Sequence, residues 1–260
     1  DYYRAIEDSS QAITLEPDNA AAFYRRAVAY RDLGQPLRAL QDLNRVITLS
    51  PDKEAAFYQR AVIYDTLGKP LRALQDLNRV IELRPRYAAA FYNRGLIYDT
   101  LGETLRAIEE YDRAIELDPD YALPFNNRAH CYFDILQPER ALKDLRRARE
   151  LKRDNSLPFF NRGLIYDSIG RSDLALKDWS TAIELNPNNV AALKSRGYSY
   201  AHLAEYEQAI EDFDRVIRLR PDDAAAFNSR GHSYAHLEEY ERAIRDWSRA
   251  LGLESDHELD

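Results

Sequence analysis

Apolar side chains recur along this chain with helical spacing, in pairs of segments separated by a short break. The first segment of one such pair has apolar residues at i, i+4 and i+7, namely Phe23, Ala27 and Tyr30. The second segment has the same spacing after a break at Gly34, through Ala39, Leu43 and Val46, and Pro51 follows it. The pattern predicts a helix, a tight turn and a second helix.

This helical pair repeats every 34 residues. Prolines mark the period at Pro17, Pro51, Pro85, Pro119, Pro187 and Pro221, and Arg153 stands in the remaining slot. When each repeat is numbered from Ala20 and its equivalents, position eleven is always tyrosine: Tyr30, Tyr64, Tyr98, Tyr132, Tyr166, Tyr200 and Tyr234. Position eight is always small: Ala27, Ala61, Gly95, Ala129, Gly163, Gly197 and Gly231. Small residues at this position predict close contact between helices.

The period divides the chain into a half repeat, seven complete repeats and a short tail. The half repeat covers residues 1–19 and supplies a second helix only. The complete repeats are predicted at 20–53, 54–87, 88–121, 122–155, 156–189, 190–223 and 224–257, and the tail at 258–260. One helical pair cannot bury its apolar stripe alone, so stability must come from packing between neighbouring repeats.

The combination of small, aromatic and proline positions resembles the tetratricopeptide repeat (TPR) family, and the resemblance covers essentially the whole chain. It implies an all-α, right-handed superhelical solenoid in which the first helices of the repeats line a concave groove. It also implies a non-catalytic scaffold that binds a peptide or helix of a partner protein in that groove. No cofactor is expected.

The resemblance assigns groove residues by their positions in the repeat. Position five carries Tyr24, Tyr58, Tyr92, Asn126, Phe160, Lys194 and Asn228. Position nine carries Val28, Val62, Leu96, His130, Leu164, Tyr198 and His232. Positions twelve and thirteen add Asp65, Asp99, Asp167, His202 and His236. An aromatic and aliphatic strip of this kind suits a peptide or helix. The alternative is that these tyrosines and aliphatic residues pack against neighbouring repeats.

Two columns of opposite charge share the period. Position seven is arginine in each repeat: Arg26, Arg60, Arg94, Arg128, Arg162, Arg196 and Arg230. Position twenty-three is acidic: Asp8, Asp42, Asp76, Glu110, Asp144, Asp178, Asp212 and Asp246. The columns predict ion pairs between the first and second helices. If exposed to solvent, each pair would contribute only about 0–1 kcal/mol and would set helix register more than stability.

The fourth repeat departs from the others. Leu136 replaces the turn glycine, Arg149 replaces an aliphatic residue, and the terminal proline is missing, so its junction with the fifth repeat is predicted to be the softest. The same repeat carries a basic cluster: Arg140, Lys143, Arg146, Arg147, Arg149, Lys152 and Arg153. This cluster is either a solvated helix face or a docking site for an acidic partner segment.

Charge and composition narrow the partners. The net charge of −8 disfavours general binding to nucleic acid or an anionic membrane, which leaves protein partners. No apolar run reaches the length of a membrane span, the first residues lack a signal peptide, and a cytoplasmic location is expected. Because the sequence has no methionine, it is expected to be part of a longer protein. The alternative function is a self-assembling structural module that forms dimers or filaments through the uncapped ends of the solenoid, where Ile244, Trp247 and Leu251 are expected to lack full cover.

Catalytic and metal-binding patterns are weak. His232 and His236 have i, i+4 spacing and His202 occupies the same repeat position as His236, which could hold zinc, but duplication of the Ser-Tyr-Ala-His-Leu segment explains them better. His130 and the single cysteine Cys131 are adjacent in a helix and would point about 100° apart, which is unsuitable for a nucleophile and its base. No metal and no enzymatic activity are therefore predicted.

Overall fold

The computed structural model describes residues 1–257, which form fifteen α-helices and no strands. The helices are α1 (Tyr2–Leu15), α2 (Ala20–Asp32), α3 (Pro36–Leu49), α4 (Glu54–Thr66), α5 (Pro70–Leu83), α6 (Ala88–Thr100), α7 (Thr104–Leu117), α8 (Ala122–Asp134), α9 (Pro138–Leu151), α10 (Leu157–Ser168), α11 (Ser172–Leu185), α12 (Val190–His202), α13 (Tyr206–Leu219), α14 (Ala224–His236) and α15 (Tyr240–His257). The prediction of an all-α protein built from helical pairs is confirmed.

Local sequence signals set the helix ends. The side chains of Asn19, Asn189 and Asp223 each accept a hydrogen bond from a backbone N–H in the first turn of the following helix, at 2.9–3.1 Å. Pro36 and Pro70 stand at the first position of α3 and α5, where a missing N–H costs no helical hydrogen bond. The first helices begin at the predicted repeat starts, except that α10 begins one residue later. The division into seven repeats remains a prediction.

The turn between the two helices of a pair contains a residue with a positive φ angle, which in three repeats is not glycine. Gly34, Gly68, Gly102 and Gly170 adopt positive φ between the helices of their pairs. The equivalent residues Leu136, Ala204 and Glu238 adopt φ of 57°, 61° and 62°. Side chains other than glycine are strained in this left-handed region. The substitution of Leu136 for glycine therefore retains the turn geometry at the cost of backbone strain.

The chain divides into two compact units, Asp1–Cys131 and Tyr132–Asp260, with the boundary inside α8. In the first unit, α2 packs with α3, α4 with α5 and α6 with α7. In the second unit, α10 packs with α11, α12 with α13 and α14 with α15. Each unit therefore contains the same antiparallel helical pair several times.

The buried face of each first helix is wider than the predicted stripe at positions four, eight and eleven. Position three is buried at Ala22, Ala56 and Ala90, and position ten at Ile63 and Ile97. By contrast, position eleven is only half-buried in several repeats, and an arginine lies over its ring; Arg38 is 5.7 Å from the Tyr30 centroid. A first helix contacts the second helices of two repeats, which explains the additional buried positions.

Residue size at position eight matches the side chain at position twenty-four. Alanine pairs with leucine in the first two repeats, as Ala27 with Leu43 and Ala61 with Leu77 share a core cluster. Glycine pairs with an aromatic ring in four repeats: Gly95 with Tyr111, Gly163 with Trp179, Gly197 with Phe213 and Gly231 with Trp247. A β-carbon on Gly163 would lie 2.4 Å from Trp179 Nε1. The glycines therefore make room for the larger rings.

Candidate binding faces on the first helices

The three predicted groove tyrosines of the first unit, Tyr24, Tyr58 and Tyr92, are half-buried. Asn93 Nδ2 donates to Tyr58 Oη at 2.9 Å, and Asn127 Nδ2 donates to Tyr92 Oη at 3.4 Å. Burial raises the pKa of both Tyr58 and Tyr92 above the ordinary tyrosine value, so their hydroxyl groups stay protonated at neutral pH. These two tyrosines thus connect consecutive first helices.

Aromatic contacts strengthen this structural role. The Tyr58 ring contacts Tyr87 edge-on at 5.3 Å between centroids, and Tyr92 contacts Tyr121 in the same way at 5.1 Å. Burial is the largest cause of a raised pKa at Tyr121. These contacts agree with the alternative interpretation of the sequence, in which the tyrosines at position five pack against neighbouring repeats. Their remaining exposed edges can still contact a ligand.

The other predicted residues of the first unit differ in access to solvent. Val28, Val62 and Leu96 are half-buried, and Asp99 is also half-buried. The carboxylate of Asp65 is more accessible, although partial burial raises its pKa. His130 is exposed, but Asn126 is only 3% exposed and lies beneath the surface. The side chain of Asn126 is therefore not accessible to a ligand in the groove, in contrast to the position predicted from the repeat.

In the second unit, a cleft of about 540 Å³ brings together four predicted groove residues: Leu164, Asp167, Tyr198 and His202. They extend from α10 and α12. Tyr198 is 42% exposed, although its ring also contacts Phe213 edge-on at 5.3 Å. The cleft therefore combines apolar walls with an accessible carboxylate, a phenol and an imidazole.

Sequence reasoning missed part of this cleft. Ser195 and Ser199 contribute hydroxyl groups, and the buried indole of Trp179 contributes an apolar surface. Ser195 occupies position six, directly after Lys194 at the predicted groove position five, so its place in the repeat was a usable signal. Ser199 and Trp179 could not be found in that way, since their positions are otherwise part of the core.

The remaining predicted residues of the second unit make separate contacts. Phe160 packs against the core cluster that contains Leu193. Lys194 Nζ lies 2.9 and 3.0 Å from the two carboxylate oxygens of Asp223, so its charge is already neutralised. Asn228 is exposed.

The two C-terminal histidines of the predicted groove face different aromatic partners. His232 packs edge-on against Trp247 at 5.3 Å between centroids. His236 stacks on Tyr206 at 4.5 Å with an interplanar angle of 2°. His202, in contrast, lines the cleft. The three imidazoles are thus engaged in three different environments.

In the described part of the chain, six of the predicted ion pairs between first and second helices are observed, and they are largely buried and bidentate. In the pair that joins Arg196 to Asp212, Nε and Nη2 donate to the two carboxylate oxygens at 2.8 and 2.7 Å. The same arrangement joins Arg26 to Asp42, Arg60 to Asp76, Arg94 to Glu110, Arg162 to Asp178 and Arg230 to Asp246. The side chain of Asp212 is only 2% exposed. The condition of solvent exposure is therefore not met in this column, and the value for exposed pairs does not apply to it.

Three sequence models described as tetratricopeptide repeat match the chain, at residues 10–41, at 58–122, and at 157–189 with 190–223. No curated protein sequence matches significantly. Within residues 1–257, the helices are too short or too polar to cross a lipid bilayer.

Several solved structures share the fold. MamA is 23% identical, and the match covers 64% of this chain and 97% of MamA with a TM-score of 0.59. YrrB, described as a TPR protein with an unusual peptide-binding site, is 26% identical over 70% of this chain and 94% of its own, with a TM-score of 0.57. The Cut9–Hcn1 complex matches 97% of this chain and 50% of the other chain, with 17% identity and a TM-score of 0.70. The sequence models and the repeated helical pairs together establish that the chain belongs to the tetratricopeptide repeat family.

Proposed function

We propose that this chain is a non-catalytic protein-interaction scaffold that binds a peptide or helix of a partner protein on its first helices. The repeated helical pairs support the scaffold role, because they present a series of similar surfaces on rigid elements. A cytoplasmic location and the lack of a cofactor remain predictions from the sequence.

The cleft between α10 and α12 is the observation that carries the peptide-binding proposal. Leu164 and Tyr198 offer accessible apolar surface, which core packing alone does not require. Asp167 and His202 can accept or donate hydrogen bonds at the edge of this apolar surface. A short segment with one apolar anchor and neighbouring polar groups suits such a cleft.

The first-unit face is a less direct candidate. Tyr58 and Tyr92 already form hydrogen bonds and ring contacts within the unit. Alanine at these positions would remove packing as well as any ligand contact, so a loss of binding there would be ambiguous. The likeness to YrrB, a peptide-binding TPR protein, supports the same general function at 26% identity.

We expect Leu164→Glu to weaken peptide binding by about 10- to 100-fold, because loss of one buried apolar anchor costs about 1.5–3 kcal/mol. Peptides are selected from a random display library on the intact chain, and their dissociation constants are measured by fluorescence anisotropy. Leu185→Glu is the matched control, since Leu185 is 39% exposed against 37% for Leu164 and lies outside the cleft. Equal binding by both variants would reject the cleft.

Self-association is the second candidate function. On α15, Ile244 is 60% exposed and Leu251 is 65% exposed, as the sequence suggested, whereas Trp247 is half-buried against His232. Exposed apolar residues on one helix can support contact between copies. Light scattering that gives a monomer mass at every concentration would remove this alternative.

A further inference from the structure

The position-seven arginines do more than pair with their own second helix. Each of six also donates a hydrogen bond to a residue on the preceding second helix, 16 residues earlier in the chain. The acceptors are Ser10 for Arg26, Asn44 for Arg60, Asn78 for Arg94, Asp112 for Arg128, Ser180 for Arg196 and Asp214 for Arg230. These arginines therefore clamp consecutive repeats together.

The clamp is incomplete between α9 and α10. Arg162 donates through Nε and Nη2 to Asp178 at 2.6 Å, as the other arginines do to their own acidic partners. The residue 16 positions earlier is Arg146, a cation in the place of the usual acceptor. Among the described residues, none accepts a hydrogen bond from Arg162 Nη1, and Arg146 is exposed without an ion pair. The position therefore offers no oxygen that could accept a hydrogen bond from Arg162 Nη1, and it holds a second positive charge instead.

The surroundings of Arg146 extend this charge. Lys143, Lys152 and Arg153 are exposed and form no ion pair within the described residues. Residues 138–154 contain seven basic and four acidic side chains, whereas the whole chain has a net charge of −8. One of the four acids, Asp144, is buried. The basic cluster is therefore a local positive surface on an acidic protein.

We infer that this basic surface of α9 binds an acidic segment of a partner protein, with one carboxylate placed between Arg146 and Arg162. A carboxylate is the group that the clamp already uses at Asp112 and Asp214. Guanidinium groups bind carboxylates through short charge-assisted hydrogen bonds. A partner carboxylate would supply the missing acceptor and relieve the repulsion between the two arginines.

A protein segment fits this surface better than nucleic acid does. A nucleic acid carries a phosphate charge at every nucleotide and would bring many of them close to the acidic remainder of the chain. A short acidic segment places its charge on the cluster alone. The site is also distinct from the proposed peptide cleft, because Arg162 is two residues from Leu164, which lines the cleft, and thus lies about 200° around α10 from it.

The test measures binding of a fluorescent glutamate- and serine-containing dodecapeptide to the intact chain by anisotropy at about 0.15 M salt. We expect binding, and we expect Arg146→Asn to weaken it about tenfold, the effect of losing one charge-assisted contact. Arg147→Asn is the matched control on the same helix, since Arg147 already pairs with Glu150 at 3.5 Å. This control should weaken binding less than about threefold.

A second measurement, of stability without ligand, tests whether Arg146 stands where an acceptor for Arg162 is missing or only adds to the positive charge of the surface. Arg146→Asn installs the acceptor found at Asn44, so we expect the urea midpoint of the ligand-free chain to rise, whereas Arg147→Asn should not raise it. Equal losses of peptide binding in the two variants would overturn the inference. So would inorganic phosphate or a dodecameric oligothymidylate competing as well as unlabelled acidic peptide.

Discussion

Gly163→Ala is expected to lower the free energy of unfolding by about 1–2 kcal/mol. The added β-carbon would lie 2.4 Å from Trp179 Nε1 and 2.7 Å from its Cδ1, so the helices or the indole must move. Overpacking of this kind usually costs about 1–3 kcal/mol and here outweighs the gain of about 1 kcal/mol from replacing glycine in a helix. Urea denaturation followed by circular dichroism at the helical band measures the change.

Two further variants make this test specific. Gly252→Ala is the matched control, because Gly252 lies in α15 with nothing within 4 Å of its added β-carbon. It should raise stability by about 0.5–1 kcal/mol. The double variant Gly163→Ala with Trp179→Leu recreates the alanine–leucine combination of Ala61 with Leu77 and should recover much of the loss. A Gly163→Ala chain as stable as the Gly252→Ala chain would contradict the packing explanation.

The size match at this contact was available in the sequence. Position eight is small in each repeat, as at Ala61 and Gly163, but this observation alone does not explain which repeats use glycine. Comparison with position twenty-four resolves the difference, since aromatic residues occur there with glycine and leucine occurs with alanine. Helix boundaries were equally predictable, because prolines, asparagine caps and turn glycines are local signals.

The candidate site was less predictable, because the position of a residue in the repeat indicates the face of the helix on which it lies but does not indicate which side chains surround it. Position five predicted an exposed row, yet Asn126 is buried and Lys194 is neutralised by Asp223. Both outcomes depend on residues elsewhere in the chain. The arginine column illustrates the same limit. Equal periods identified Asp246 as a partner of Arg230, whereas its second acceptor, Asp214 on the preceding helix, required the three-dimensional contact.

Asp212→Ala is expected to have the larger effect, a loss of about 3–5 kcal/mol in the free energy of unfolding. Removal of this carboxylate leaves the guanidinium of Arg196 mostly buried with one remaining side-chain acceptor, Ser180 at 2.9 Å. The bond to Asp212 is the main cause of the raised pKa of Arg196. Even without this bond an arginine stays protonated at neutral pH, so Arg196 cannot relieve the cost by losing its proton. An unpaired buried charge is among the most costly single defects in a folded protein.

The control is Asp173→Ala, which breaks a pair in the same unit that faces solvent. Asp173 lies 3.5 Å from Arg171, and its side chain is 71% exposed, so the loss should stay below about 1 kcal/mol. In the double variant Arg196→Met with Asp212→Leu, removal of both charges should recover part of the stability. Because Arg196 also contacts Ser180 and Tyr200, recovery should be incomplete. If Asp212→Ala costs no more than Asp173→Ala in urea denaturation, the arginine column sets helix register alone and contributes little to stability.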